Sequence, residues 1–336
     1  MDSVSYQQRR LPAEWEKQEA VLLAWPDQKS DWHETLPQVE AVLKKIVQEI
    51  ARREKVLLVG TNPARVEKIL GVSFDKRGRG QIEFYSMETN DIWARDFGPI
   101  TVLDQQERQF LDFQFNGWGE KYPWKLDNQV TAKLTRLSVF ENSRYKPVDL
   151  ILEGGSIDSN GEGTILTTTS CLCNPNRNQK CDQQEIEKQL QSLFGAKQVL
   201  WLDYGHIEGD DTDGHIDTLA RFVASDTIAY VNASPRMEEE LKAFRTPEGR
   251  PFTLVPLPSP GTKVNQTGQV LPATYANFLV INQAVLVPTY DDKHDEEALQ
   301  TIRQLFPERE VIGIPCLPII EQFGSLHCLT MQIPAG

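Results

Sequence analysis

Amphipathic helical segments that each run into an apolar strand recur along most of this 336-residue chain, and that recurrence narrows the possible folds more than any single motif. Apolar residues at Val39, Val42, Leu43, Ile46 and Ile50 mark a helix over 37–53, and the apolar run 55–60 follows it. The same order returns as a helix at 64–70 before 82–87, 183–194 before 199–204, 238–244 before 252–257, and 296–306 before 311–315. Further strands are expected at 20–25, 100–103, 110–115 and 148–152, while 116–145 shows no convincing helical stripe. Each strand ends in a polar, glycine-bearing segment. A unit of this length is the signature of a repeat architecture, so the chain reads as α/β and either divides into two domains or forms one large domain of repeats. The Pro- and Gly-rich stretch 256–268 reads as a long surface loop beside a site.

Charge limits the partners. Asp and Glu exceed Lys and Arg by 48 to 35, a net charge of -13, which disfavours nucleic acid and anionic membranes and favours cationic ligands. The N-terminal stretch MDSVSYQQRRLPAEWEKQ has no apolar core of signal-peptide length, and no stretch approaches the roughly 18 apolar residues of a membrane helix. A soluble cytoplasmic protein is therefore expected. Five cysteines, an odd and sparse set, argue against a disulfide framework.

Four segments carry candidate chemistry. Gly209 to Phe222, GDDTDGHIDTLARF, packs Asp210, Asp211, Asp213, His215 and Asp217 together. Like charges this close are tolerable where they cap a turn, hold a cation, or both. If the chain is extended from Ile216, His215 and Asp217 share one face and could hold a basic group and move its proton. The bland alternative is an acidic surface loop. Asn90 to Pro99 (NDIWARDFGP) places Trp93, Arg95 and Asp96 between a strand and a turn, where a structural Arg–Asp pair is the plain reading. Leu152 to Ser156 (LEGGS) sets Glu153 at a strand end before paired glycines that let a ligand approach the backbone. Gly324 to Met331 (GSLHCLTM) places Cys328 after a Gly-Ser turn, although a buried inert cysteine is the commoner case. On an extended segment His327 points away from Cys328, which leaves His215 as the base. Asp96, Glu153 and His215 each follow an apolar strand at separations of 57 and 62 residues, and Cys328 lies 113 further on, about two more periods.

NDIWARDFGP, LEGGSID, SNGEGTILTT, CNPNRN, DDTDGHIDTLARF, NFLV and GSLHCLTMQIP occur in an order that resembles the agmatine deiminase and bacterial peptidyl-arginine deiminase family, as does the opening LPAEWEKQEAVLLAWP. The likeness spans nearly the whole chain. It implies a five-bladed α/β propeller of the pentein type, with pseudo-symmetric ββαβ units around a central active site, and a single deiminase domain over residues 1–336. It also implies roles. Asp96 and Asp217 would bind the guanidinium nitrogens, Glu153 would fix one nitrogen and help orient His215, and Cys328 would attack the central carbon. His215 would protonate the departing ammonia and then activate water. Trp93 and Trp118, with Tyr122, could sandwich an alkyl chain.

No metal or organic cofactor is needed for such chemistry. The implied substrate is agmatine, giving N-carbamoylputrescine and ammonia as in putrescine and polyamine synthesis. Deimination of free or peptidyl arginine uses the same core, amidino transfer would replace water with an amine, and a homo-oligomer stays open. A metallohydrolase built on the same residues, or a propeller that only binds, is a remoter reading, because neither His-x-x-x-His nor Cys-x-x-Cys occurs. Before Cys328 this chain has Phe323-Gly324-Ser325-Leu326, where the family tends to carry several glycines and an Asn.

Overall fold

In the computed structural model, residues 9–74, 80–105, 107–137, 139–140 and 143–336 are described. Residues 1–8, part of the stretch read for a signal peptide, lie outside them.

Among the described residues five sheets repeat one strand order. In the second sheet Ile100–Asp104 pairs antiparallel with Glu107–Gln114, which pairs parallel with Ser143–Ile151. The third combines Ile157–Ser159, Thr164–Thr168 and Gln198–Leu202 in the same way, and the fourth Ala220–Ala224, Thr227–Val231 and Thr253–Leu257. The fifth joins Leu279–Ile281, Ala284–Thr289 and Glu310–Pro315. In the first sheet the antiparallel partner comes from the far end of the chain. Thr330–Pro334 pairs with Gln18–Ala24, which runs parallel to Lys55–Gly60 and through it to Ile82–Ser86. Each parallel crossover carries a helix: Leu36–Ala51, Pro63–Leu70, Val130–Arg136, Gln183–Phe194, Pro235–Ala243 and Asp295–Leu305.

Local chemistry sets these helices. Val39, Val42, Leu43, Ile46 and Ile50 are all buried, so the stripe seen in the sequence is the face turned to the sheet. Gln183–Phe194 starts from a capping box in which Asp182 accepts from the Glu185 N–H and Glu185 reciprocates. The buried apolar side chains form one cluster from Ala20 to Ile333.

Four expectations need correction. The stretch 116–145 does contain a helix, Val130–Arg136, but its seven residues are too few to show a stripe. Ile216–Thr218 is a 3-10 turn rather than a strand, so alternation does not place His215 relative to Asp217. His327–Leu329 is likewise a 3-10 turn. The stretch 256–268 holds a strand end and half of a small hairpin, Lys263–Val264 with Val270–Leu271, and it lines no part of the cleft described below.

The repeat places chemistry at one kind of position. Asp96, Glu153, His215 with Asp217, Asn277 and Cys328 all lie in the connections that enter the first strand of a sheet. Because Leu22 is wholly buried in a strand paired on both sides, Leu22→Ala should lower the unfolding free energy by about 2–5 kcal/mol, measured by urea denaturation.

Candidate active site

The acidic run divides its carboxylates among four tasks. Asp210 shapes its own loop, accepting from the Thr212 hydroxyl at 2.5 Å and the Gly214 N–H at 2.7 Å. Asp213 holds cations: Arg177 Nη1 donates to it at 2.6 Å and Lys121 Nζ at 2.8 Å. Asp211 accepts from the Tyr122 hydroxyl at 2.7 Å and faces a cleft. Asp217 is fully buried and accepts from Nδ1 of His327 at 2.7 Å.

That cleft holds about 530 Å³ of space, part of it open solvent. The buried Asp96, His215 and Cys328 form its floor, and its lining also includes the rings of Trp93, Trp118 and Phe323 and the polar groups of Asp31, Asp91, Tyr122 and Asp211. Asp96 is fixed by two donors, Trp118 Nε1 and the Gly155 N–H, both at 2.9 Å. Trp118 adopts φ 56°, ψ 42°, a left-handed conformation rare for a bulky residue, and there its indole reaches Asp96. A Cβ on Gly155 would stand 2.6 Å from His215 Nδ1 and 2.9 Å from Asp96 Oδ1, so only glycine lets these groups meet. Gly324 lies flat on the Trp93 ring, where a Cβ would come within 2.3 Å.

His215 Nδ1 lies 3.7 Å from Asp96 Oδ1, and neither ring nitrogen has a hydrogen-bond partner although the residue is fully buried. Sγ of Cys328 is 3.4 Å from Oδ1 of Asn277 and 3.8 Å from Oδ2 of Asp217. Glu153 lies behind the floor and does not line the cleft. Both its oxygens accept from Nε of Arg177, at 2.9 and 3.0 Å, with both residues buried. Of the residues proposed from sequence, Asp96, His215, Cys328, Trp93 and Trp118 share the cleft, while Asp217 and Glu153 stand directly behind it.

Electrostatics sets the resting protonation states. Burial raises the pKa of the Cys328 thiol well above its usual value, and Asp217 and Asp96 push the same way. Burial alone would depress His215, but Asp96, Cys171 and Glu153 outweigh it and raise the imidazole well above its ordinary pKa. Asp96 is itself raised, chiefly by burial and further by Asp217 and Glu153, with His215 opposing. Asp217 is lowered despite burial because His327, His215 and Arg221 stabilise its charge. The unliganded site thus pairs a neutral thiol with a cationic imidazole. A cation entering between Asp96 and Asp217 would offset the field that holds the thiol protonated.

Among the described residues one group, Glu153, Cys171 and His215, brings donor atoms within 4.8 Å of one another as a metal ion would require. The Arg177 guanidinium already occupies both Glu153 oxygens, so a divalent ion there would meet a buried cation. The sequence reading gave no role to Arg177, Asn277, Glu14, Arg221 or Cys171. Asn277 carried a signal, since it lies 62 residues beyond His215 and continues the spacing of Asp96, Glu153 and His215.

Residues 10–334 match the Porphyromonas-type peptidyl-arginine deiminase family. The agmatine deiminase of Pseudomonas aeruginosa strain LESB58 is 31% identical over 97% of this chain and 95% of its own length. A Porphyromonas gingivalis protein provisionally named an arginine deiminase is 44% identical, with a TM-score of 0.91 over 98% of this chain and 99% of that one. A cysteine-to-serine variant of the C. jejuni agmatine deiminase with substrate bound is 37% identical, with a TM-score of 0.90 over 100% and 99%. An amidinotransferase from Microseira wollei, at 12% identity and a TM-score of 0.56, shares the fold alone. With a mixed α/β fold common to these proteins and a match over nearly its whole length, the chain belongs to the Porphyromonas-type peptidyl-arginine deiminase family.

Proposed function

We propose that this protein hydrolyses the guanidinium group of agmatine to N-carbamoylputrescine and ammonia through a covalent amidino-cysteine intermediate. One observation carries the reading: a buried thiol and an imidazole share the floor of a cleft with a fixed carboxylate, and the same cleft is acidic elsewhere. A guanidinium carbon is a poor electrophile because its charge is spread over three nitrogens, so carboxylates must hold the group while a strong nucleophile attacks. In this reading Asp96 and Asp217 bind the guanidinium nitrogens, and the charge of the incoming cation lets the Cys328 thiol ionise, its proton passing to solvent because His215 is already protonated. Attack by Sγ gives a tetrahedral adduct. His215 then gives a proton to the departing nitrogen, which leaves as ammonia, and afterwards takes a proton from the water that attacks the amidino-thioether. Collapse returns the thiolate and releases the urea product. Glu153, held by Arg177, stabilises the His215 cation from behind.

Asp31, Asp91 and Asp211 support the amine-tailed substrate. They suit the ammonium of agmatine and oppose the α-carboxylate of free arginine. The family name and the 44% identical P. gingivalis protein favour arginine as a second reading. The same proposal takes the five repeated sheets as ββαβ blades of a pentein propeller around the cleft, within a single domain over 1–336. What supports it is the five-fold strand order and the pairing of Thr330–Pro334 with Gln18–Ala24. A cytoplasmic place in polyamine synthesis follows from the substrate. Among the described residues no helix is long and apolar enough to cross a membrane.

The deciding experiment is ammonia release from agmatine, free arginine and a peptide ending in arginine. Selective release from agmatine is expected, and release from arginine or the peptide alone would overturn the substrate. Cys328→Ser should reduce turnover by about four or more orders of magnitude while agmatine still binds, read by steady-state kinetics and calorimetry. Burial pushes Asp91 and Asp211 up to about 6, so both are ionised above that pH and lose charge as pH falls through it. The KM for agmatine should therefore rise on acidification below about pH 6, while that of n-butylguanidine, whose tail is neutral, should change less. Asp211→Asn should raise the agmatine KM about fivefold, the ~1 kcal/mol of a half-exposed charge pair, and leave n-butylguanidine unaffected.

A further inference from the structure

His327 and Cys328 are neighbours in the chain but face different cavities. The turn His327–Leu329 sends the thiol to the cleft already described and the imidazole to a second cleft, about 480 Å³, lined also by Glu14, Arg95 and Gln332. The imidazole is almost wholly buried, and each ring nitrogen meets a carboxylate oxygen at 2.7 Å: Nδ1 meets Oδ2 of Asp217 and Nε2 meets Oε2 of Glu14. Carboxylates accept hydrogen bonds, so both contacts are satisfied when both nitrogens donate. Glu14 is a rigid anchor. Arg221 Nη2 donates to its Oε2 at 2.8 Å, Arg95 Nη2 lies 3.6 Å from that oxygen, and the Val280 N–H donates to Oε1 at 2.7 Å. The His327 backbone is held as well, its N–H donating to Asn277 Oδ1 at 2.9 Å.

The consequence falls on Asp217. Its Oδ2 is taken by His327, while Oδ1 is buried without a partner. We propose that His327 is the positioning residue of the guanidinium site: braced against Glu14, it fixes the Asp217 carboxylate so that Oδ1 stays free for the substrate cation. The proposal rests on the reading of Asp217 as a guanidinium ligand. A buried carboxylate left without its donor would turn toward another partner, and Cys328 Sγ, 3.8 Å from Oδ2, is within reach. The charged and titratable groups around this pair are Glu14, Arg95 and Arg221 on one side and Asp96, His215 and Cys328 on the other.

The test uses the full chain with n-butylguanidine, whose neutral tail removes the carboxylates at the mouth from the pH profile, and compares His327→Ala with His327→Asn. Losing the His327 donor raises the pKa of Asp217, so more alkaline conditions are needed to ionise it. His327→Ala should therefore raise KM about 10- to 100-fold, with a smaller change in kcat, and move the acid limb of kcat/KM to higher pH. His327→Asn carries an amide N–H at the position of Nδ1 and should recover most of both effects. An acid limb that stays in place in a folded Ala variant, or Asn and Ala variants that behave alike, would overturn the proposal. Loss of the folded state in both, read by circular dichroism, would overturn it too, since the imidazole would then be a structural strut. Wild-type protein inert toward agmatine and n-butylguanidine would overturn the functional reading itself, and that result would be in hand before any variant is made.

Discussion

A site for a guanidinium must hold carboxylates in a nearly dry interior before any substrate cation arrives, and most of the arrangement follows from that requirement. Glu14, Asp96, Glu153, Asp158 and Asp217 are all buried, as are Arg95, Arg177, Arg221, His215 and His327. Taking a charge out of water costs several kcal/mol unless a partner replaces the hydration. Arg177 meets Glu153, Arg221 bridges Asp158 and Glu14, and His327 bridges Glu14 and Asp217. Asp96 is the exception among the acids, with an indole and a backbone amide for partners and His215 3.7 Å away. The carboxylate least satisfied by internal cations is thus the one that lines the cleft.

The fold delivers these groups by repetition. Each of the connections that enters the first strand of a sheet supplies one element of the site, and hydrogen bonds run between them: the Gly155 N–H to Asp96, His327 to Asp217, and the His327 N–H to Asn277. These contacts between connections, rather than the length of any one of them, hold the side chains in place. Chain closure contributes directly. Cys328 lies immediately before Thr330–Pro334, whose pairing with Gln18–Ala24 brings the last turn beside Glu14.

The same electrostatics acts on the thiol and the imidazole that line the cleft. Burial, reinforced by Asp217 and Asp96, raises the pKa of the Cys328 thiol, while Asp96, Cys171 and Glu153 outweigh burial at His215 and raise that of the imidazole. Under the proposed function, a substrate cation would bring its own charge into the floor, which would link catalysis to recognition.

The sequence determined the helices with a long apolar stripe, the recurring spacing of Asp96, Glu153 and His215, and an acidic character suited to a cation, because periodicity and spacing are properties of the chain itself. Asn277 was legible in the same spacing but was not read from it. Short elements were not legible: Val130–Arg136 is too brief to show a period, and the 3-10 turns at 216–218 and 327–329 resemble strand starts. Tertiary structure alone decided which carboxylates face the cleft and which are consumed internally. Glu153 pairs with Arg177, and His327, which looked like a bystander to Cys328, meets Asp217 and Glu14, 110 and 313 residues away. Such pairings are set by where a closed chain brings distant turns together, so no local pattern could have revealed them.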